Sequence, residues 1–191
     1  MKAFILTIFV VIFIGTIIII YRVAVEPRNE LERHEQINKQ MTLLRDRAKA
    51  NPPDKEALNS LIKSLTSKDS FERTAAIGFL GQVGSRAEPG VDALIEALSG
   101  GNPFDAREAA RSLGEIGPSA QRSVQALIQA VERHPDTDVG WFAAESLGSV
   151  ADANDASVIK ILEQAARTPD ERMRKSATTA LRILESNRSK P

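Results

Sequence analysis

One pattern returns at a fixed interval, and that interval limits the fold more than any other feature. Leu80-Gly81-Gln82-Val83-Gly84 comes back as Leu113-Gly114-Glu115-Ile116-Gly117, then weakened as Leu147-Gly148-Ser149-Val150-Ala151. Leu181 opens a degenerate last copy, so the leucines stand 33, 34 and 34 residues apart. A second pattern runs in step with the first. Val91, Leu94, Ile95 and Leu98 match Val124, Leu127, Ile128 and Val131; Val158, Ile161, Leu162 and Ala165 follow, and Leu58, Leu61, Ile62 and Leu65 precede. Offsets of three, four and seven place each set on one face of an amphipathic helix. Each unit therefore holds two helices. A pair this small cannot bury its own apolar face, but stacked neighbours can.

Boundary signals fit this reading. The first helix of a unit carries paired alanines (Ala109-Ala110, Ala143-Ala144) before its Leu-Gly. Small residues there allow neighbouring helices to approach closely, and the glycine is expected to supply the left-handed turn that stops the helix. Asp69, Asn102 and Asp138 are expected N-caps, and Thr168-Pro169-Asp170-Glu171 reads as a capping box with proline at its first helical position.

These residues resemble a known family. Phe79-Leu80-Gly81-Gln82-Val83-Gly84 through Val91-Asp92-Ala93-Leu94-Ile95 is similar to HEAT repeats, and Ser112-Leu113-Gly114-Glu115-Ile116-Gly117-Pro118-Ser119-Ala120 through Val124-Gln125-Ala126-Leu127-Ile128 is closer still. The resemblance is to the short bacterial kind first associated with phycobilisome lyases, and it covers roughly residues 54–185. It implies an all-α fold, a right-handed α-solenoid of about four helical hairpins, with the second helix of each unit lining the concave surface. It also implies a protein-binding scaffold more often than an enzyme. The arginine that such repeats carry early in the first helix has candidates in Arg73, Arg107 and Arg174, with Arg107 one position out of register. The third unit has Gly140 there.

Ahead of the repeats, residues 3–21 are uncharged and rich in Ile, Val and Phe. As a helix they would reach roughly 28 Å, close to the hydrocarbon thickness of a bilayer. A single transmembrane helix is therefore expected, with membrane contact through 3–21. A cleaved signal peptide fits less well, because the run is long and a cut after Ala24 or Val25 lacks the small-residue pattern. Arg22, Arg28, Arg33 and Lys39 follow the run, and the positive-inside rule then puts the soluble part of a single-pass membrane protein on the cytoplasmic side. A two-residue tail with one lysine is also that of a signal anchor, with the opposite topology. From Arg28 to Ala50 good helix formers dominate. Ile37, Met41, Leu44 and Ala48 share a face there, suited either to packing on the repeats or to a short dimeric coiled coil. The expected division is 1–22 transmembrane anchor, 23–53 polar connecting helix and 54–191 repeat solenoid.

The residues needed for chemistry are scarce. Cysteine is absent, which removes disulfides, thiolate zinc sites and thiol nucleophiles. Aromatics make up 5%, too few for an all-β sandwich to be favoured. HEAT-like deoxyhypusine hydroxylases hold iron with several His-Glu pairs; this chain has one, His34-Glu35, and its other histidine, His134, lies far along the sequence. No metal, no cofactor and no catalytic residue is expected. Gly78, Gly81 and Gly84 imitate a phosphate loop, but no strand precedes them and no Gly-Lys-Ser/Thr follows. The alternative that the family raises is a lyase-like or chaperone-like subunit for chromophore attachment. For a planar pigment, Trp141 and Tyr21 are the only large polar aromatics.

Binding is expected on the second helices. Counting from Val91, positions one, five and eight form one side: Asp92, Glu96 and Ser99, then Gln125, Gln129 and Glu132, then Ile159, Glu163 and Ala166, with Asn59, Lys63 and Thr66 before them. Lys+Arg and Asp+Glu balance at 25 each over the chain, yet 88–163 holds 13 acids against 5 bases. Asp92, Glu96, Gln129, Glu132 and Glu163 are thus candidates for holding a basic segment of a protein partner, or else a merely solvated face. No nucleic acid is expected in a groove that cannot neutralise phosphate. Trp141 stands in register with Thr74, Arg107 and Lys175, all polar, so it is either a partly exposed contact for a partner or lipid or a core residue beside Phe142. The chain reads as a membrane-tethered, non-catalytic interaction scaffold.

Overall fold

A computed structural model describes Tyr21 and residues 26–189. The chain divides into two units, 1–40 and 41–191. Helix α1 (Glu26–Lys49) begins in the first and ends in the second. Its opening turns carry Glu26, Arg28, Glu30, Glu32, Arg33, Glu35 and Lys39, mostly exposed.

Two expectations are corrected here. Among the described residues no helix is long and apolar enough to cross a membrane. The single transmembrane helix, and the single-pass membrane protein built on it, are not what the structure shows. The longest described helix, α1, is too densely charged to leave water. The apolar run that motivated both lies outside the described residues, apart from the exposed Tyr21.

The second unit is all helix. Four second-type helices, α2 (Lys55–Ser64), α4 (Val91–Ser99), α6 (Val124–Arg133) and α8 (Ala156–Ala165), alternate with four first-type helices, α3 (Ser70–Val83), α5 (Pro103–Ile116), α7 (Asp138–Val150) and α9 (Glu171–Arg188). Short 3-10 segments, Gly84–Gly90 and Gly117–Ser123, join α3 to α4 and α5 to α6. The repeat leucines meet in the middle: Leu61, Leu80, Leu94, Leu113, Leu127, Leu147 and Leu162 are fully buried. From Met41 onward α1 belongs to this unit, with Met41 and Ala48 buried. Arg45 lies over the Phe79 ring, 5.4 Å from its centroid, and donates to Gln82 Oε1 at 2.7 Å.

Capping explains where the helices start. Asp69 accepts from the Phe71 and Glu72 N–H groups and Asn102 from those of Phe104 and Asp105, as expected from the sequence. The cap of α7 is instead Thr137, with Asp138 inside the first turn; that of α9 is Asp170, which accepts from Met173 N, rather than Thr168. Asp54 and Asp155 cap α2 and α8 in the same way.

The glycines divide their work differently from the sequence expectation. The positive φ falls on Gly84 (74°) and Gly117 (73°), three residues after the first two Leu-Gly pairs. The Leu-Gly glycine itself remains inside the helix, where it is a contact surface. A Cβ on Gly81 would come within 2.8 Å of the Ser112 Cα, and one on Gly148 within 2.7 Å of the Ala180 Cα. First-type helices thus meet backbone to backbone. Ser112 Oγ crosses that seam to the Ile77 carbonyl at 2.9 Å, and Ser146 Oγ repeats the bond to the Ala110 carbonyl at 2.8 Å.

Candidate functional site

The exposed sides of the second-type helices carry the predicted acids. Asp92 is already engaged: Arg122 Nε donates to it at 2.7 Å while the same guanidinium also holds Glu88. Glu96 on α4, Gln129 and Glu132 on α6, and Glu163 on α8 are exposed, and no hydrogen bond or ion pair engages them among the described residues. Glu96, Gln129 and Glu163 share one register position, and Glu132 lies one turn beyond Gln129.

Trp141 combines the two readings of it. It is half-buried on α7, with the Arg172 guanidinium 4.8 Å from its ring centroid. Its indole Nε1 is buried without a hydrogen-bond partner among the described residues. The residue also forms part of the wall of a cavity of about 560 Å³, set between the α4–α5 turn, α6 and the α6–α7 turn. Leu98, Ala106, Ala126, Ala130 and Val139 supply apolar wall, and the exposed Phe104 stands beside it. Gln129 lines this cavity with Trp141; Asp92, Glu96, Glu132 and Glu163 do not. The volume is within the range, roughly 300–1,000 Å³, typical of ligand pockets.

One column of the repeat accounts for the cavity. Arg73, Ala106, Gly140 and Arg174 occupy the same position in successive first-type helices. In the first repeat Arg73 NH1 donates to the Ser67 carbonyl, six residues back, at 2.8 Å, and its Nε to Asp105 at 2.6 Å. In the last, Arg174 NH1 reaches the Thr168 carbonyl, again six back, at 3.2 Å. In the third, the carbonyl of His134, six back from Gly140, presses directly on the glycine and occupies the space a side chain would need. In the second repeat Ala106 extends no side chain to its loop, and the cavity opens beside it, lined by Gly100 and Asp138.

Arg107 is not a displaced version of the repeat arginine. It is in register with Thr74, whose hydroxyl donates to Asp105 at 2.5 Å, and it approaches Asp138, one position before the counterpart of Asp105, at 3.9 Å. The sequence alone did not single out this cavity. Its signal was present as the substitution of Ala and Gly in a column of arginines, but the fate of the vacated space depends on loops that close differently in each repeat.

Among the described residues no group of three or more His, Asp or Glu side chains could hold a metal ion. Titration is perturbed at few places. Burial is the main cause that raises the Glu115 carboxyl above its ordinary value; the Arg111 charge opposes it. The Ser157 hydroxyl is the main cause that holds Asp155 below its own, against desolvation, with the Val158 and Ser157 N–H groups adding to it.

The architecture is that of a solenoid of helical hairpins. Residues 91–182 match the HEAT-repeat family model. Solved structures agree in fold. An engineered protein is 24% identical, with a TM-score of 0.56, and the match covers 69% of this chain and 63% of that one. Human deoxyhypusine hydroxylase in complex with glycerol is 27% identical (TM-score 0.55), over 68% of this chain and 43% of that one. The archaeal HEAT-like repeats protein from Thermococcus onnurineus NA1 is 20% identical (TM-score 0.50), over 75% of this chain and 59% of that one. In each case the chain spans less than two thirds of its relative. No curated protein matches it in sequence.

Proposed function

We propose that this chain is a non-catalytic interaction scaffold of the short bacterial HEAT kind, which binds a segment of a partner protein along its second-type helices. The observation that carries the reading is the set of unengaged acids Glu96, Glu132 and Glu163, with Gln129, exposed on three consecutive second-type helices. Charges left without intramolecular partners on repeated, rigid elements are available to a partner of opposite sign, whose encounter they steer. The segment favoured is basic. One relative bears an enzyme's name, but the iron set that its family resemblance implies needs several His-Glu pairs, and this sequence has one.

The test is crosslinking in cells followed by mass spectrometry of captured proteins, repeated with Glu96→Lys and Glu132→Lys together. The expected outcome is a defined partner whose capture falls in the double variant and whose binding weakens with salt. Binding of that partner with unchanged affinity and salt dependence after charge reversal would overturn the reading.

A further inference from the structure

Counted from Leu58, Val91, Val124 and Val158, the second-type helices turn three rows of side chains outward, at positions one, five and eight. The first row is Asn59, Asp92, Gln125 and Ile159, and its one charge is already bonded to Arg122. The third is Thr66, Ser99, Glu132 and Ala166, with one charge. The middle row differs from both. Lys63, Glu96, Gln129 and Glu163 are all exposed, and among the described residues no hydrogen bond or ion pair engages their side chains. Read from α2 to α8 the middle row is therefore positive, negative, neutral, negative. The order has no mirror symmetry, so it distinguishes one end of a ligand from the other.

This row crosses the helices instead of following one. α4, α6 and α8 pack in sequence, and Ile62 of α2 lies against Gly90 at the start of α4, where a Cβ would come within 3.2 Å of it. Axes of packed helices stand about 8–10 Å apart, which sets the step of the row. A polyproline II segment has three residues per turn and about 3.1 Å of rise per residue, so every third side chain returns to the same side after about 9.3 Å. The two steps match. A β-strand alternates sides at each residue and cannot present every third side chain to the row. Polyproline II also leaves its backbone to water, which suits a face of helices whose own backbone bonds are internal.

We propose that the middle row binds a partner segment in the polyproline II conformation, with an acid over Lys63, a base over Glu96, an amide donor over Gln129 and a second base over Glu163, each three residues after the last. The inference rests on the partner-binding reading above and deepens it by giving the segment its spacing and order. Glu132, one turn beyond Gln129, adds negative charge at the third step and makes an acid unfavourable there.

The probe is a labelled ten-residue peptide with Asp first, Arg fourth, Gln seventh and Arg tenth, and Pro and Ala between, titrated with the full chain by fluorescence anisotropy at low salt. Saturable binding is expected, with a dissociation constant on the order of 0.1–1 mM. Moving the last arginine by one residue turns it about a third of a turn away and should weaken binding at least about threefold. Exchanging Asp and Gln keeps composition and charge and should weaken it by a similar factor or more. An Arg-first peptide decides against plain attraction to an acidic surface: it carries more positive charge, yet should bind at least about threefold more weakly, because it faces Lys63. Lys63→Glu, at an exposed position, should reverse that preference, and Glu163→Lys should weaken the Asp-first peptide. No saturable binding, tighter binding of the Arg-first peptide to the parent chain, or indifference to the spacing or to Lys63→Glu would each overturn the inference. A captured partner that depends on Glu96 and Glu132 while its contacting segment lacks this spacing would overturn it and leave the scaffold reading intact.

Discussion

The carbonyl of His134 rests on the α-carbon of Gly140. A Cβ on Gly140 would overlap the carbonyl oxygen and come within 2.8 Å of the carbonyl carbon. The neighbour is backbone, so it cannot rotate away. Gly140→Ala is expected to destabilise the protein by about 1–3 kcal/mol through overpacking. In a domain of this size that lowers the melting temperature by roughly 2–4 °C per kcal/mol. Calorimetry checks it; an unchanged transition would show that the α6–α7 turn yields freely.

Gly117 should be intolerant for a different reason. Nothing lies within 4 Å of the point where a methyl group would stand, so space is not the constraint. Its φ of 73° and ψ of −144° fall in a region open essentially to glycine alone. Asparagine, which accepts the left-handed helical region, gains nothing there. Gly117→Ala and Gly117→Asn are both expected to cost about 1–3 kcal/mol, measured by urea denaturation. A clear advantage for asparagine would refute the argument.

Asp105 is the buried acid of the second unit, and it satisfies Arg73 and Thr74 of the preceding repeat. Asp105→Ala leaves the Arg73 guanidinium with only the Ser67 carbonyl. The expected loss is roughly 2–4 kcal/mol, at the lower side of values for breaking a buried pair because Arg73 is partly solvated. A double-mutant cycle with Arg73→Ala should give a coupling of about 1–3 kcal/mol. Additive effects would mean the two act independently.

Acid should release the cap of α8. The folded pKa of Asp155 is depressed, chiefly by the Ser157 hydroxyl. A depressed carboxylate contributes stability that is present above its unfolded pKa, near the ordinary 3.8, and is lost as pH falls through the lower folded value. Asp155→Ala is expected to cost about 0.5–2 kcal/mol at neutral pH. The difference from the parent should shrink below pH 4. A difference constant down to pH 2 would exclude the carboxylate as its source.

Glu115 has the opposite sign. Burial raises its folded pKa, so the protonated form is favoured on folding. That contribution is present below the unfolded value of 4.5 and disappears as pH rises through the folded one. Glu115→Gln should therefore leave stability at pH 7 unchanged or raised, and the gain should vanish in acid. Thermal melts at pH 3 and pH 7 decide it.

Much of the second unit was readable in the sequence because the 33- and 34-residue period is a packing requirement. Each buried leucine recurs where a stack needs it. The caps Asp69 and Asn102 were readable for a similar reason, being local: a side chain two residues from the N–H it bonds. Asp138 and Thr168 were misplaced by one and two residues, because competing acceptors lie side by side and tertiary closure chooses between them. The Leu-Gly glycines were legible as important but not for the right reason. What they touch is a neighbouring helix, at residues 31 or 32 positions further along the chain. The cavity was illegible for the same cause, since it is defined by an absent side chain and by loops from two repeats. The transmembrane expectation rested on hydropathy in a segment outside the described residues.

The serine seam constrains how such a chain can change in length. Ser112 reaches the Ile77 carbonyl and Ser146 the Ala110 carbonyl, 35 and 36 residues back. An insertion of a few residues inside a first-type helix would rotate the serine away from its acceptor and turn the glycine contact face outward. Removing or duplicating one whole hairpin restores both. The array can therefore grow or shrink only in whole steps, and a partner matched to it would meet its contacts at positions counted in repeats.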